Sequence, residues 1–308
     1  MIERYDSVAY IADLATKENK KISELVLEEQ AVAMELPAEV IYEKMYEDFK
    51  VMKESAKNGI QDSLRSNSGI TGGDAMKYKR YLDSGKSIYG KAFGDALLTA
   101  VAVSEYNAAM GKIVASPTAG SCGILPSVLV SLQDNCGYSD KQIVMSLFTA
   151  AGVGMVIANL ASISGAEGGC QAECGSASAM AAAAIVELRG GTPKMAENAV
   201  AIAIKNILGL VCDPVAGLVE VPCIKRNASG AANAIVASEL ALAGITSVIP
   251  VDEVIDAMKR VGDMMHPFLK ETAKGGLAAT PTGEKLKSKI FGENRGGNSC
   301  TGCGRCMK

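Results

Sequence analysis

The sequence predicts a mainly α fold: a single helical domain over residues 1–291, followed by a flexible, Cys-rich C-terminal tail over residues 292–308. Three observations lead there. Apolar residues make up 48 % of the chain but aromatics only 5 %, with no Trp, so Ala and Gly must fill much of the interior and let elements approach closely. Apolar positions recur at helical spacing and hardly ever alternate. Residues that start and stop helices punctuate that pattern.

The elements follow in order. Pro37 suits the first turn of a helix, in which Ile41, Met45, Phe49 and Met52 recur at i, i+4, i+8 and i+11 until Asn58-Gly59 stops it. Ser139, with Gln142 three residues on, reads as a capping box. It opens an uncharged stretch from Ile143 to Ala166, 24 residues long. The run "QAECGSASAMAAAAIVELR" (Gln171–Arg189) is rich in Ala, the best helix former, and Gly190-Gly191 closes it. Thr192-Pro193 supplies the N-cap and first turn of a helix that Gly209 ends. Val251 to Met265 gives another, before His266-Pro267. Only Ile113–Ala115 and Gly217–Ile224 read as extended, and both are short and beside Pro. With no internal repeat, the 308 residues are expected to form one domain around the uncharged helices.

Composition excludes several classes of function. A net charge of −3 and a pI near 5.5, with basic residues scattered, argue against nucleic acid or an anionic membrane as partner. The N-terminal "MIERYDSVAYIADLATKENKK" lacks the apolar run of a secretory signal. The uncharged stretch approaches the roughly 20 residues of a membrane span, but Asn159, three Gly and three Ser within it favour a buried helix. A soluble, cytoplasmic protein is expected. Nine Cys in a chain of this length do not form a small disulfide scaffold. They indicate a metal or cluster, or ordinary core packing.

Three segments interrupt the helical pattern with Gly, Pro and Cys. In "SPTAGSCGILP" (Ser116–Pro126), Gly120 and Gly123 would let backbone N–H groups approach an anion, with Ser116 and Thr118 offering hydroxyls; read alone, it is a polar turn. In "SGAEGGCQAECG" (Ser164–Gly175), Cys170 precedes the Ala-rich helix, whose dipole would favour a thiolate, and Cys174 follows one turn on. Taken alone, either Cys reads first as a small buried hydrophobe. In "GLVCDPVAGLVEVPCIKRN" (Gly209–Asn227), Cys212 and Cys223 lie on irregular backbone around Asp213-Pro214. No pair reproduces a structural zinc site. The tail's C-x-x-C-x-x-C (Cys300, Cys303, Cys306) lacks the further Cys of a ferredoxin run. With one His in the chain, His266, His-rich metal sites and a Ser-His-Asp triad are excluded unless that residue serves.

"SPTAGSCGILPSVL", "GAEGGCQAECG", "GLVCDPVAGLVEVPCIKRNA", "KETAKGGLAATPTG" and, upstream, "SGITGGDAMKYKRYL" resemble the α chain of bacterial iron–sulfur-dependent L-serine dehydratases, in their two-subunit form. The resemblance runs over nearly the whole chain from about Glu28. It implies a helical catalytic domain and a [4Fe-4S] cluster held by Cys170, Cys212 and Cys223, with the fourth iron open, and no pyridoxal phosphate. It implies as partners a separate β subunit and the substrate L-serine, within a higher oligomer, and a place in amino-acid degradation and gluconeogenesis. An open iron would act as a Lewis acid on the substrate hydroxyl, and the serine carboxylate would share that iron or dock on the loop of Ser116, Thr118, Ala119 and Gly120.

The base that takes the Cα proton stays open among Lys225, Glu167, His266, Lys112 and a residue of the β chain. Two other functions share these residues: a cluster-dependent lyase acting on L-cysteine, and a non-catalytic iron–sulfur redox sensor using the tail. The resemblance also implies that a tail cysteine occupies the open iron, Cys306 first, then Cys303 and Cys300. The 15 residues from Phe291 to Cys306 could span up to about 50 Å.

Overall fold

The computed structural model describes residues 6–292. Cys300, Cys303 and Cys306 lie outside the described residues, as does nearly all of the tail. Within them the chain forms a single helical domain of 13 helices with no strand.

Three helices lead. Ser7 accepts the Tyr10 N–H to cap α1 (Val8–Glu18), and Asn19, left-handed at φ 51°, closes it. α2 (Ile22–Ala33) follows, then α3 (Ala38–Asn58), which starts after Pro37 and buries Ile41, Phe49 and Met52, the stripe that the spacing predicts. α4 (Asp74–Asp83) and α5 (Lys91–Ala108) come next, then α6 (Ile124–Cys136). The capping box forms at Ser139 and Gln142 and opens α7 (Asp140–Leu160). A single turn, α8 (Gly165–Gly168), leads into a π turn (Gln171–Gly175) and α9 (Ser176–Leu188). Thr192 caps α10 (Pro193–Lys205), and α11 (Cys223–Leu242), α12 (Val251–Met264) and α13 (Pro281–Phe291) complete the domain.

α9 is the axis of the fold. Every residue from Ser176 to Glu187 is buried, and α6, α7, α10 and α11 all pack on it. Ala181–Ala184 are fully buried. Each methyl contributes under about 1 kcal/mol of transfer energy, so the gain comes from how closely four neighbours can approach so slim a helix. α7 is the one helix among the described residues long and apolar enough to cross a membrane. It packs on α9 and α2 with most of its apolar window buried, as its Gly and Ser content predicts.

Two expectations need correction. Neither Ile113–Ala115 nor Gly217–Ile224 is a strand. Gly217 ends a 3-10 turn (Val215–Gly217) in which Ala216 is left-handed, and Cys223 already belongs to α11. Pro222 has no N–H to give a ladder, and no neighbouring strand exists to pair with. The helix expected from Gln171 to Arg189 is a π turn up to Gly175 and regular only from Ser176. π turns occur frequently at functional sites; this one contains Cys174, and Cys170 is its N-cap.

Candidate functional site

Four pieces of chain converge at the N-terminal end of α9. The π turn is the first. Gln171, 1 % exposed, pins it by donating through Nε2 to the Met258 carbonyl of α12 (3.0 Å) and accepting the Gly209 N–H (2.9 Å). The same amide ties down the second piece, the loop from Gly209 to Pro222. Its Cys212 N–H donates to the Leu269 carbonyl (2.9 Å), and Asp213 accepts the Leu277 N–H (2.8 Å). Those two bonds attach the third piece, the chain between α12 and α13. Arg226 on α11 pairs with Asp213 (2.9 Å) and donates to the Val211 carbonyl (2.8 Å).

The fourth piece is the loop after Ser116. Asn227, one turn into α11, accepts the Gly123 N–H (2.8 Å) and donates to the carbonyls of Gly120 (2.8 Å) and Cys223 (2.9 Å). Thr118 reaches across and donates its hydroxyl to Glu173 Oε1 of the π turn (2.7 Å). Glycine at position 120 is required by that approach, because a Cβ there would lie 2.9 Å from Glu173 Oε1.

The structure therefore brings Cys170, Cys212 and Cys223 within electrostatic reach of one another. It also adds Cys174, whose thiol is 3.4 Å from that of Cys170. The Cys170 thiol is held below its ordinary range, first by its hydrogen bond with Cys174 and then by the Arg226 charge, against the effect of burial. The helix dipole that the sequence predicts is not the main cause. Burial, then the neighbouring Cys170 and Glu173, pushes Cys223 up to about 12. Cys212 rises further, through burial and then Glu173. Burial also raises the Glu173 carboxyl, with Glu271 adding to it and the Thr118 hydrogen bond opposing. Thiols held protonated in this way become ligands when a metal displaces their protons. A set of buried sulfur donors fits soft metal ions and iron–sulfur clusters better than hard cations. Glu173 and Glu271 bring carboxylate oxygens to within 4.8 Å of the Cys212 sulfur.

Other sequence candidates stand elsewhere. Lys225 pairs with Asp74 on the exposed side of α11. Glu167 accepts from Ser162 (2.7 Å), and His266 accepts the Phe268 N–H (3.2 Å) as the cap of a 3-10 turn. Lys112 is exposed and faces Asp48. Ser116 is buried with no partner for its hydroxyl, and the Ala119 carbonyl accepts from Asn107 (3.2 Å). Glu173, Asn227, Arg226 and Asp213 are the residues that sequence reasoning missed. Their one signal was position, since each lies inside or beside one of the Gly- and Cys-rich motifs.

A helical domain thus gathers buried thiols and a buried carboxylate at the end of its central helix, a donor set that could hold a metal. This chain belongs to the serine dehydratase alpha chain family, whose profile matches residues 17–278. It is 50 % identical over 297 residues to the probable L-serine dehydratase alpha chain of Bacillus subtilis (strain 168), a match covering 96 % of this chain and 99 % of that one. It is 46 % identical over 283 residues to the L-serine dehydratase alpha chain of Peptoniphilus asaccharolyticus, covering 92 % and 97 % respectively. An L-serine dehydratase of Helicobacter pylori (strain ATCC 700392 / 26695) is 38 % identical over 283 residues, which are 90 % of this chain but only 62 % of that longer one.

Proposed function

We propose that this chain is the catalytic α subunit of an L-serine dehydratase that deaminates L-serine to pyruvate and ammonia. Full-length similarity to two alpha chains so named supports the activity. The observation that carries the site is the convergence of Cys170, Cys212 and Cys223 from two separate motifs beside a buried carboxylate. In this reading the three thiols hold a [4Fe-4S] cluster. When bound, it supplies a Lewis acid that stabilises charge on the departing hydroxyl.

The chain's own residues do the rest. Arg226 places a positive charge among the thiols and, through Asp213 and Val211, fixes the loop that bears Cys212. Asn227 holds the Thr118–Gly123 loop against Cys223, where its hydroxyls and amides serve the substrate carboxylate. The elimination removes the Cα proton and hydroxide, and the aminoacrylate released decays to pyruvate and ammonia. Lys225, Glu167 and His266 are each engaged elsewhere, which supports a base supplied by the β subunit. Cys306 serves in this reading as the ligand that occupies the fourth iron at rest. The enzyme works in the cytoplasm as an oligomer with its β subunit, in amino-acid degradation that feeds gluconeogenesis, and without pyridoxal phosphate.

The test is anaerobic purification of the chain together with its β subunit. The preparation is expected to be brown, to form pyruvate from L-serine, and to show no spectral change with borohydride. Sulfide release from L-cysteine exceeding pyruvate formation from L-serine would move the assignment to the desulfidase. A reversible one-electron couple with no lyase activity would move it to a redox protein.

A further inference from the structure

Glu173 and Glu271 form a pair of carboxylates at the Cys212 thiol, all within 4.8 Å of one another. Glu173 is 9 % exposed, and no Lys or Arg among the described residues pairs with it or with Glu271. A carboxylate withdrawn from water beside a like charge is costly unless it takes a proton or a cation joins it. The protein nevertheless holds this carboxylate firmly in place. Thr118 donates to Oε1 at 2.7 Å, and a Cβ on Gly165 would lie 2.6 Å from Oε2 and 3.0 Å from the Cys212 sulfur. Both flanks of Glu173 are thus reserved by glycine, at positions 120 and 165. The loop that supplies Thr118 also carries the Ser116 hydroxyl, which is buried and has no partner among the described residues. A buried hydroxyl in that condition, on the loop that holds Glu173, leaves a donor for a bound group or a water to satisfy.

Resting on the serine dehydratase reading, we infer that Glu173, with Glu271 beside it, binds the α-ammonium group of the substrate. The site thereby selects an α-amino acid over the corresponding α-hydroxy acid. An ammonium at this point would neutralise the carboxylate pair and donate up to three hydrogen bonds, the carboxylate oxygens accepting. It would also set the substrate's orientation while its hydroxyl and carboxylate are engaged elsewhere.

The experiment compares L-serine with L-glycerate, which has a hydroxyl in place of the ammonium. Dissociation constants are read from the change in the cluster's visible and EPR spectra, using the anaerobic enzyme assembled with its β subunit. The unaltered enzyme is expected to bind L-serine far more tightly than L-glycerate. Glu173→Gln is expected to weaken L-serine about 10- to 100-fold, as loss of one charged hydrogen bond does, with L-glycerate and iron content unchanged. Unchanged L-serine binding, or equal weakening of both ligands, would overturn the inference. So would loss of iron from a folded Glu173→Gln enzyme, which would make Glu173 a cluster ligand. If that variant does not fold, Glu271→Gln carries the test, being a change at an exposed residue. It is expected to weaken L-serine alone, and no selective weakening would overturn the inference. Absence of a cluster or of pyruvate formation in the unaltered enzyme is a separate result, and refutes the underlying reading instead.

Discussion

Asn227 accepts the Gly123 N–H through Oδ1 and donates through Nδ2 to the carbonyls of Gly120 and Cys223. It is 1 % exposed, so Asn227→Ala would strand at least one buried donor and one buried acceptor. Each such group costs about 1–3 kcal/mol, so we expect a loss of roughly 2–4 kcal/mol in chemical denaturation. Iron retention should fall with it, because the Cys223 turn and the Thr118 loop lose their common support. A variant as stable as the parent would show that water replaces the amide. At this scale the sequence was legible for cysteines and much less so for their neighbours. Cys170, Cys212 and Cys223 stand out because thiols are scarce and sit in unusual motifs. Asn227 and Glu173 do not stand out, because an amide or an acid at a surface turn gives the same local pattern. Only tertiary burial separates the two cases.

At the scale of elements, close approach decides which sequences fit. Gly123 precedes α6 at the point where that helix meets α5 and α11. A Cβ there would come within 2.5 Å of the Ala100 carbonyl and 2.7 Å of the Ser104 hydroxyl. Gly123 is the N-cap of α6, where Ala is less favourable than Gly, so Gly123→Ala gains no helix propensity. Overpacking costs about 1–3 kcal/mol, so the net effect should be a lower thermal midpoint. A raised midpoint would mean that α6 can shift freely. α7 offers a pH test. Asp140 at its N-terminus is held below the usual carboxylate range, first by its hydrogen bond with Gln133 and also by Lys53 and Tyr46. A carboxyl with a lowered folded pKa adds stability above its unfolded value, near pH 4, and loses it as pH falls through the folded value. Asp140→Asn should therefore destabilise the protein at pH 7 by less than about 1 kcal/mol, since the pair is partly exposed. That deficit should shrink as pH falls below about 4 and through the folded pKa, as followed by thermal unfolding at each pH. A deficit that persists there would reflect lost packing instead. Helix starts were readable from Ser139, Thr192 and Pro37 because caps act locally. The π turn at Gln171–Gly175 was not, because Gln171 is held by Met258 and Gly209, residues distant in sequence.

For the whole molecule, the account joins one axial helix to one site. α9 can be a slim, fully buried rod because Ala and Gly let α6, α7, α10 and α11 close around it. Its N-terminal end is where the loops bearing Cys212 and Thr118 meet Cys223, the first residue of α11. Family membership and full-length similarity to serine dehydratase alpha chains agree with that arrangement. The central claim is that Cys212, from one loop, and Cys170, at the N-cap of the π turn, hold the same cluster as Cys223. Iron and sulfide analysis of Cys212→Ala, purified without oxygen beside the unaltered chain, tests it most directly. The account predicts about four iron atoms per unaltered chain. The variant should fold, as judged by its helical circular dichroism, yet lose most of that iron, the visible absorbance and the pyruvate formation. A folded Cys212→Ala chain with full iron content and an unchanged spectrum would contradict it.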